Sequence, residues 1–269
     1  GVKPTAVVGH SVGEIAAAYV AGVLTLEDAV RVAYHRGRLM QAATGHGQMA
    51  SVELAEAEAQ QLLNDRGWGD RLSVAAVNTP TSVVISGESV ALADLLSLLQ
   101  ARGVGTRMLP VQYAFHSPQM EPYAAELTRV LAGLTARPAT LKLVSTVTGV
   151  WAEPGREGDA AYWGRNVRQT VRFSQSIETL LDSGCTAFIE VGPHPVLSAY
   201  VQQQLQTRGA QGLVAHSLRR GQPERATLLV NLGAWHTHGG VVSWSDVFPE
   251  PGNVLALPAY AWQRERHWF

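Results

Sequence analysis

The hydrophobic positions along this chain change their period several times, and those changes predict its elements. Residues 4–10 (PTAVVGH) form a short apolar run that predicts a buried strand, and 13–22 (GEIAAAYVAG) predict a helix ended by Gly22. A second helical stretch follows over 26–43, opened by Thr25 as N-cap with Asp28 three residues on. From Gln48 the pattern alternates quickly: strand 48–54, helix 55–67, strand 71–78, strand 81–87 after the Thr79-Pro80 turn, helix 89–103 and strand 104–111. This βαββαβ order is the ferredoxin-like one, and its compactness predicts a unit inserted into a larger domain. The larger domain resumes with helix 120–134, strand 140–147, helix 173–183, strand 186–191, helix 195–207, strand 212–217 and helix 223–237. Such alternation predicts an α/β fold with a mainly parallel sheet covered by helices on both faces. From Ser245 onward Pro249, Pro251 and Pro258 stand among aromatics, which predicts an extended tail wrapped on a surface. The expected division is 1–47 and 112–244 for the large subdomain, 48–111 for the inserted one, and 245–269 for the tail.

Composition narrows the function classes. With a formal net charge of −1, the chain has no basic field to hold a nucleic acid or an anionic membrane. Its longest apolar run, 15–24, is far short of the roughly 20 residues of a membrane span, and no signal peptide is expected. Cys185, the single cysteine, excludes an intrachain disulfide and favours a cytoplasmic location; its place before an apolar run reads as buried filler.

Chemistry concentrates at Gly9-His10-Ser11-Val12-Gly13, between the first strand and the first helix. A G-x-S-x-G frame in that setting is a nucleophile elbow: the glycines allow the tight turn, and the helix N-terminus brings the Val12 N–H to bear on a developing oxyanion. Nine histidines compete to serve as its base. His10 adjoins the serine but points away across the turn. His116 opens the large subdomain directly after the inserted unit and stands against a merely structural reading; His194 is a weaker candidate. His236 and His238 lack a third residue at metal-ligand spacing, so no metal site is expected. Arg36 shares a helix face with Val32, Leu39 and Met40 and so points inward. It either binds a substrate carboxylate with its planar fork, or pairs internally with Glu27 or Asp28, or shares a solvated face with Arg31 and Arg38. Only one strand precedes Ser11, where such sites usually rest on central strands, so further chain is expected ahead of Gly1.

Taken with longer stretches, the sequence resembles the acyltransferase domain of a modular type I polyketide synthase, in the superfamily of malonyl-CoA:acyl-carrier-protein transacylases. The stretches are GHSVGEIAAAYVAG at 9–22, YHRGRLMQ at 34–41, VNTPTSVVISG at 77–87, YAFHSPQM at 113–120, AYWGRNVRQTVRF at 161–173, EVGPHPVLS at 190–198 and LPAYAWQRERHWF at 257–269. The resemblance implies an α/β-hydrolase-like large subdomain with the ferredoxin-like insertion. It implies Ser11 as nucleophile, His116 as general base and Arg36 as partner of the extender unit's free carboxylate. Asn78 and His10 fall near the active site by the same matching, and backbone carbonyls around Gly192–His194 would orient the base. No bound cofactor is implied; malonyl-CoA or methylmalonyl-CoA is the substrate. An acyl carrier protein domain is the acceptor, and the tail is similar to a linker that packs toward an adjacent ketosynthase domain. Val12 and Phe115 match a malonyl pattern, whereas Tyr113 matches the methylmalonyl one, so YAFH is a hybrid leaning to malonyl. The family's N-terminal GQG-type motif, an oxyanion contributor, is absent from these residues; losing such a donor costs roughly 10²–10³ in rate. Two other readings stay open: a serine hydrolase or thioesterase, which would usually order its residues Ser, Asp or Glu, then a late His, and a non-catalytic scaffold piece of the synthase.

Overall fold

Ser11 follows β1 (Ala6–Val8), which pairs in parallel with β6 (Lys142–Val144) in register Ala6 to Lys142. The computed structural model describes every residue except Gly1, Pro154, Pro251, Val254 and Phe269. After β1 come α1 (Gly13–Val20) and α2 (Leu26–Ala42). Thr25 caps α2 as its sequence predicts: its hydroxyl oxygen accepts from the Asp28 N–H at 3.0 Å. Burying Val32, Leu39 and Met40 of α2 against Ile15 and Ala18 of α1 joins both helices to one apolar core. The same core takes Leu127 from α5 (Glu121–Val130) and Trp163 from α6 (Ala160–Arg168).

The inserted unit runs β2 (Gln48–Val52), α3 (Glu56–Asp65), β3 (Leu72–Thr79), β4 (Ser82–Gly87), α4 (Ser89–Ala101) and β5 (Thr106–Met108). Its antiparallel sheet has the order β3-β4-β2-β5, the ferredoxin-like arrangement expected from the element order. One face packs Val52, Val83 and Ile85 against Leu63 of α3 and Leu92 and Leu95 of α4. The other face packs Met49, Ala75, Ala76 and Val84 against Val171, Phe173 and Ile177, which belong to the larger part of the chain. With both faces covered, every residue of β4 is buried, which is why SVVISG reads as a continuous run instead of an alternating one.

Phe173 and Ile177 belong to α7 (Phe173–Asp182), which precedes a second parallel pair. That pair is β7 (Ala187–Glu190) with β8 (Leu213–His216), with α8 (Ser198–Thr207) between them and α9 (Glu224–Thr237) after. The parallel strands of the large part therefore form two separate pairs among the described residues. The hydrophobic pattern places α6 less well, since the periodic reading passes from strand 140–147 to helix 173–183 without it. Its signal is the N-cap Asp159, which accepts from the Tyr162 N–H at 2.6 Å, with Trp163 and Val167 four apart on the buried face.

Two local expectations are corrected. The tail does not wrap this chain's own surface: past α10 (Trp244–Val247) the described residues form no helix or strand and are exposed, Trp262 at 75% and Trp268 at 86%. The ring contacts its described residues make are local ones, Phe248 with Trp244 and Tyr260 with Trp262. Cys185 packs at the edge of the core but is only half-buried, beside the Ser183 hydroxyl, because it lies on the turn before β7. No described helix is long and apolar enough to cross a membrane.

Candidate active site

Ser11 occupies the turn between β1 and α1 with φ 52°, a left-handed conformation that a non-glycine residue adopts only under constraint. Gly9 permits the tight turn, since an added Cβ there would lie 2.4 Å from the Glu14 backbone. A Cβ on Gly13 would meet nothing within 4 Å, so of the two flanking glycines only Gly9 is required by close approach. Val12 is the N-cap of α1, 60% exposed, and its N–H has no hydrogen-bond partner among the described residues. That N–H is available to an oxyanion beside Ser11.

Below the elbow lies a buried carboxylate. Glu14 sits in the first turn of α1 and is fully buried. It accepts from the Thr146 N–H at 3.0 Å, the Thr146 hydroxyl at 2.6 Å, the Asn166 amide at 2.9 Å and the Tyr162 hydroxyl. Burial pushes its pKa up while these four donors pull it down. The Thr146 hydroxyl also lies 2.9 Å from the Gly9 carbonyl, and the Asn166 amide reaches the Ser11 carbonyl at 3.4 Å. The network thus ties the elbow to the end of β6 and to α6. Sequence reasoning missed this role of Glu14; its signal was a charged residue among the apolar positions of a short helix.

His116 reaches Ser11 across 105 positions of sequence. Its Nε2 lies 2.9 Å from Ser11 Oγ, and its Nδ1 lies 2.8 Å from the Gln169 carbonyl oxygen. A carbonyl only accepts, so Nδ1 carries the proton and Nε2 is left bare to accept from the serine hydroxyl. The orienting carbonyl is that of Gln169, not one from Gly192–His194. That segment is held elsewhere, with the Ser217 hydroxyl against Gly192 and the Arg220 N–H against His194 Nδ1. Among the described residues, His194 forms no hydrogen bond with Ser11, whose Oγ partners are His116 and Arg36. His236 and His238 close α9, and no group of three potential metal ligands occurs among the described residues.

Arg36 is 3% exposed, and its Nη2 donates to Ser11 Oγ at 2.9 Å. It forms no ion pair among the described residues, with neither Glu27 nor Asp28, and its Nη1 is buried without a partner. Burial lowers its pKa to about 10, with Glu14 and Tyr113 acting through space in the opposite sense. The guanidinium stays cationic at neutral pH and faces Phe115, whose ring centroid is 5.9 Å from Cζ. Tyr113 and Phe115 lie 4.2 Å apart, centroid to centroid, and border the same space. His10 points away from the serine as expected, with its Nε2 2.9 Å from Asn78 Oδ1 and its ring against Phe173. Ser11, His116, Arg36 and Phe115 therefore converge on one place, with Tyr113 beside Phe115 and Asn78 joined through His10, whereas His194, His236 and His238 lie elsewhere.

The environment sets the charge of the His116 ring. Burial first, then the positive charge of Arg36 and the nearby His10, hold the His116 pKa down to about 3. An NMR titration of this ring is expected to show neutral imidazole from about pH 8 down to about pH 5, whereas an unperturbed histidine protonates near ~6.5. A midpoint for His116 near that ordinary value would contradict the electrostatic assignment. The chemistry available is a hydroxyl polarised by a neutral base on one side and an unpaired cation on the other.

Residues 1–242 match the sequence profile of the family described as "Acyl transferase domain". Polyketide synthase GfsA of Streptomyces halstedii is 49% identical over 273 residues, spanning 100% of this chain and 4% of that protein. The acyltransferase domain from module 8 of the salinomycin polyketide synthase superposes with a TM-score of 0.87 at 43% identity, covering 91% of this chain and 57% of that one. A malonyl CoA-acyl carrier protein transacylase from Clostridium perfringens superposes with a TM-score of 0.78 at 26% identity, covering 89% and 73%. The chain spans less than a tenth of the length of the first curated relatives it matches.

Proposed function

Because the chain belongs to the acyl transferase domain family, we propose that it moves a carboxylated acyl group from coenzyme A to an acyl carrier protein through an ester on Ser11. The observation that carries this reading is the pair of 2.9 Å contacts to Ser11 Oγ, from His116 Nε2 and from an otherwise unpaired Arg36. The Ser11 proton passes to Nε2 as Oγ attacks the thioester carbon. The tetrahedral oxyanion takes the Val12 N–H. The carbon–sulfur bond breaks, and Nε2 returns its proton to the departing sulfur, so that coenzyme A leaves as the thiol and the imidazole is neutral again. In the second half a carrier thiol gives its proton to Nε2, its sulfur attacks the ester, and Ser11 recovers the proton as it leaves.

Arg36 selects the substrate in this scheme. A buried cation with an unsatisfied donor gains most from a carboxylate that its fork can hold bidentately. Malonyl-CoA is the favoured donor, with methylmalonyl-CoA the alternative, because the Phe115 ring beside Arg36 crowds an α-methyl group. The malonyl named for the Clostridium perfringens transacylase supports the same choice. We also take 48–111 as the inserted unit between large-subdomain segments 1–47 and 112–244, within a modular polyketide synthase. The exposed apolar tail, 245–269, suits a surface of a neighbouring ketosynthase domain.

Competition between equal malonyl-CoA and methylmalonyl-CoA, read by the mass of the acylated protein, tests the selection. The malonyl adduct is expected to dominate, and Phe115→Ser is expected to move the ratio toward methylmalonyl by about tenfold, within the range one methyl group is worth in a pocket. Dominance of the methylmalonyl adduct in the unmodified protein would overturn the choice.

A further inference from the structure

The inserted unit's sheet reaches the base from two directions. Ser86, fully buried on β4, donates its hydroxyl to the Phe115 carbonyl at 2.6 Å, one residue before His116. On the other side, the Thr170 hydroxyl donates to the Val74 carbonyl at 2.7 Å. The Val171 N–H donates to the Ala75 carbonyl and the Val77 N–H to the Val171 carbonyl, both at 2.9 Å. β3 is an edge strand, so its outward backbone groups need partners, and residues 170–171 supply them. Gln169 is the next residue along, and its carbonyl is the one that holds His116 Nδ1.

This double attachment matters because His116 is itself constrained. Its φ is 59°, a conformation that persists only where the surroundings fix it, and its N–H is held by the Val167 carbonyl at 3.2 Å. Without the attachment at Thr170, the Gln169 carbonyl loses its anchor and the imidazole loses the acceptor that sets its tautomer. Without Ser86, the main chain entering His116 is freed.

We propose that Ser86 and Thr170 are positioning residues for the base, so that the inserted unit's sheet forms part of the frame that aims His116 Nε2 at Ser11. The inference rests on His116 serving as the base for Ser11 and adds what holds it there. Neither side chain touches Ser11, and each acts through a backbone carbonyl.

The test compares Thr170→Val, Thr170→Ser and Ser86→Ala with the unmodified protein. Single-turnover acylation of Ser11 by malonyl-CoA gives the maximal rate and the half-saturating concentration, and nitrogen NMR of the His116 ring gives its tautomer without substrate. Thr170→Val and Ser86→Ala are each expected to slow the maximal rate by about tenfold, part of the ~10²–10⁴ a general base contributes, with half-saturation unchanged. Thr170→Ser is expected to restore the rate, and Thr170→Val to diminish the Nδ1-protonated signal. Wild-type rates in both hydroxyl-free variants, or a Thr170→Ser variant as slow as Thr170→Val, would overturn the proposal. If the unmodified protein takes no acyl group on Ser11, the proposed function fails; an unshifted tautomer in Thr170→Val would then overturn the positioning role independently.

Discussion

Ser11→Ala is expected to abolish acyl loading from malonyl-CoA, with a loss on the order of 10⁶ in rate if Ser11 and His116 act as a unit. The effect is so large because no other described hydroxyl has the same surroundings. Ser11 Oγ alone sits between a bare imidazole nitrogen and a buried guanidinium. The substitution should leave folding nearly intact, since Ser11 is only partly buried and alanine meets the same strain at φ 52°. His116→Ala is expected to lose almost as much, and the double variant little more than either alone. Acylation measured by mass, with circular dichroism to confirm the fold, checks this. Independent losses that multiply in the double variant would contradict a shared proton-transfer unit.

Arg36→Ala carries the second largest expected effect, and it is selective. Malonyl loading should fall about 10²–10³-fold, the scale of breaking a buried ion pair by removing one partner. Loading of acetyl-CoA or propionyl-CoA, which have no carboxylate, should persist. Arg36→Lys is not expected to restore malonyl loading, because an ammonium cannot replace the two parallel donors of the guanidinium fork. Mass analysis of the adduct formed from each acyl-CoA separates these outcomes. Unchanged malonyl loading in Arg36→Ala would remove the carboxylate assignment.

Much of this arrangement is legible in the sequence because its residues sit on regular elements. The period of 3.6 across α2 turns Arg36 inward with Val32, Leu39 and Met40, and the structure buries all four. The strand-to-helix setting of the G-x-S-x-G frame locates Ser11 for a similar reason. The order of strands and helices in 48–111 fixes the ferredoxin-like pairing because register and topology follow from short connections.

What stays illegible depends on backbone groups and on long-range contacts. The carbonyl that orients His116 belongs to Gln169, and any residue type supplies a carbonyl, so side-chain chemistry gives no sign of it. Glu14 looks like an ordinary acidic residue in a first helical turn, favoured there by the helix dipole. Its fourfold bonded burial depends on Thr146, Tyr162 and Asn166, more than 130 positions away. The two glycines of the elbow are likewise alike in sequence, and only the approach of Glu14 to Gly9 distinguishes them.

The most direct test of the central claim follows one acyl group through both halves of the reaction. The protein is mixed with malonyl-CoA, quenched at intervals and digested, and the acylated peptide is mapped by mass before and after addition of a phosphopantetheine-bearing carrier protein. The expected result is a malonyl ester on Ser11 that disappears as the carrier becomes malonylated. An ester on another residue, or one on Ser11 that yields only free malonate with the carrier present, would contradict it.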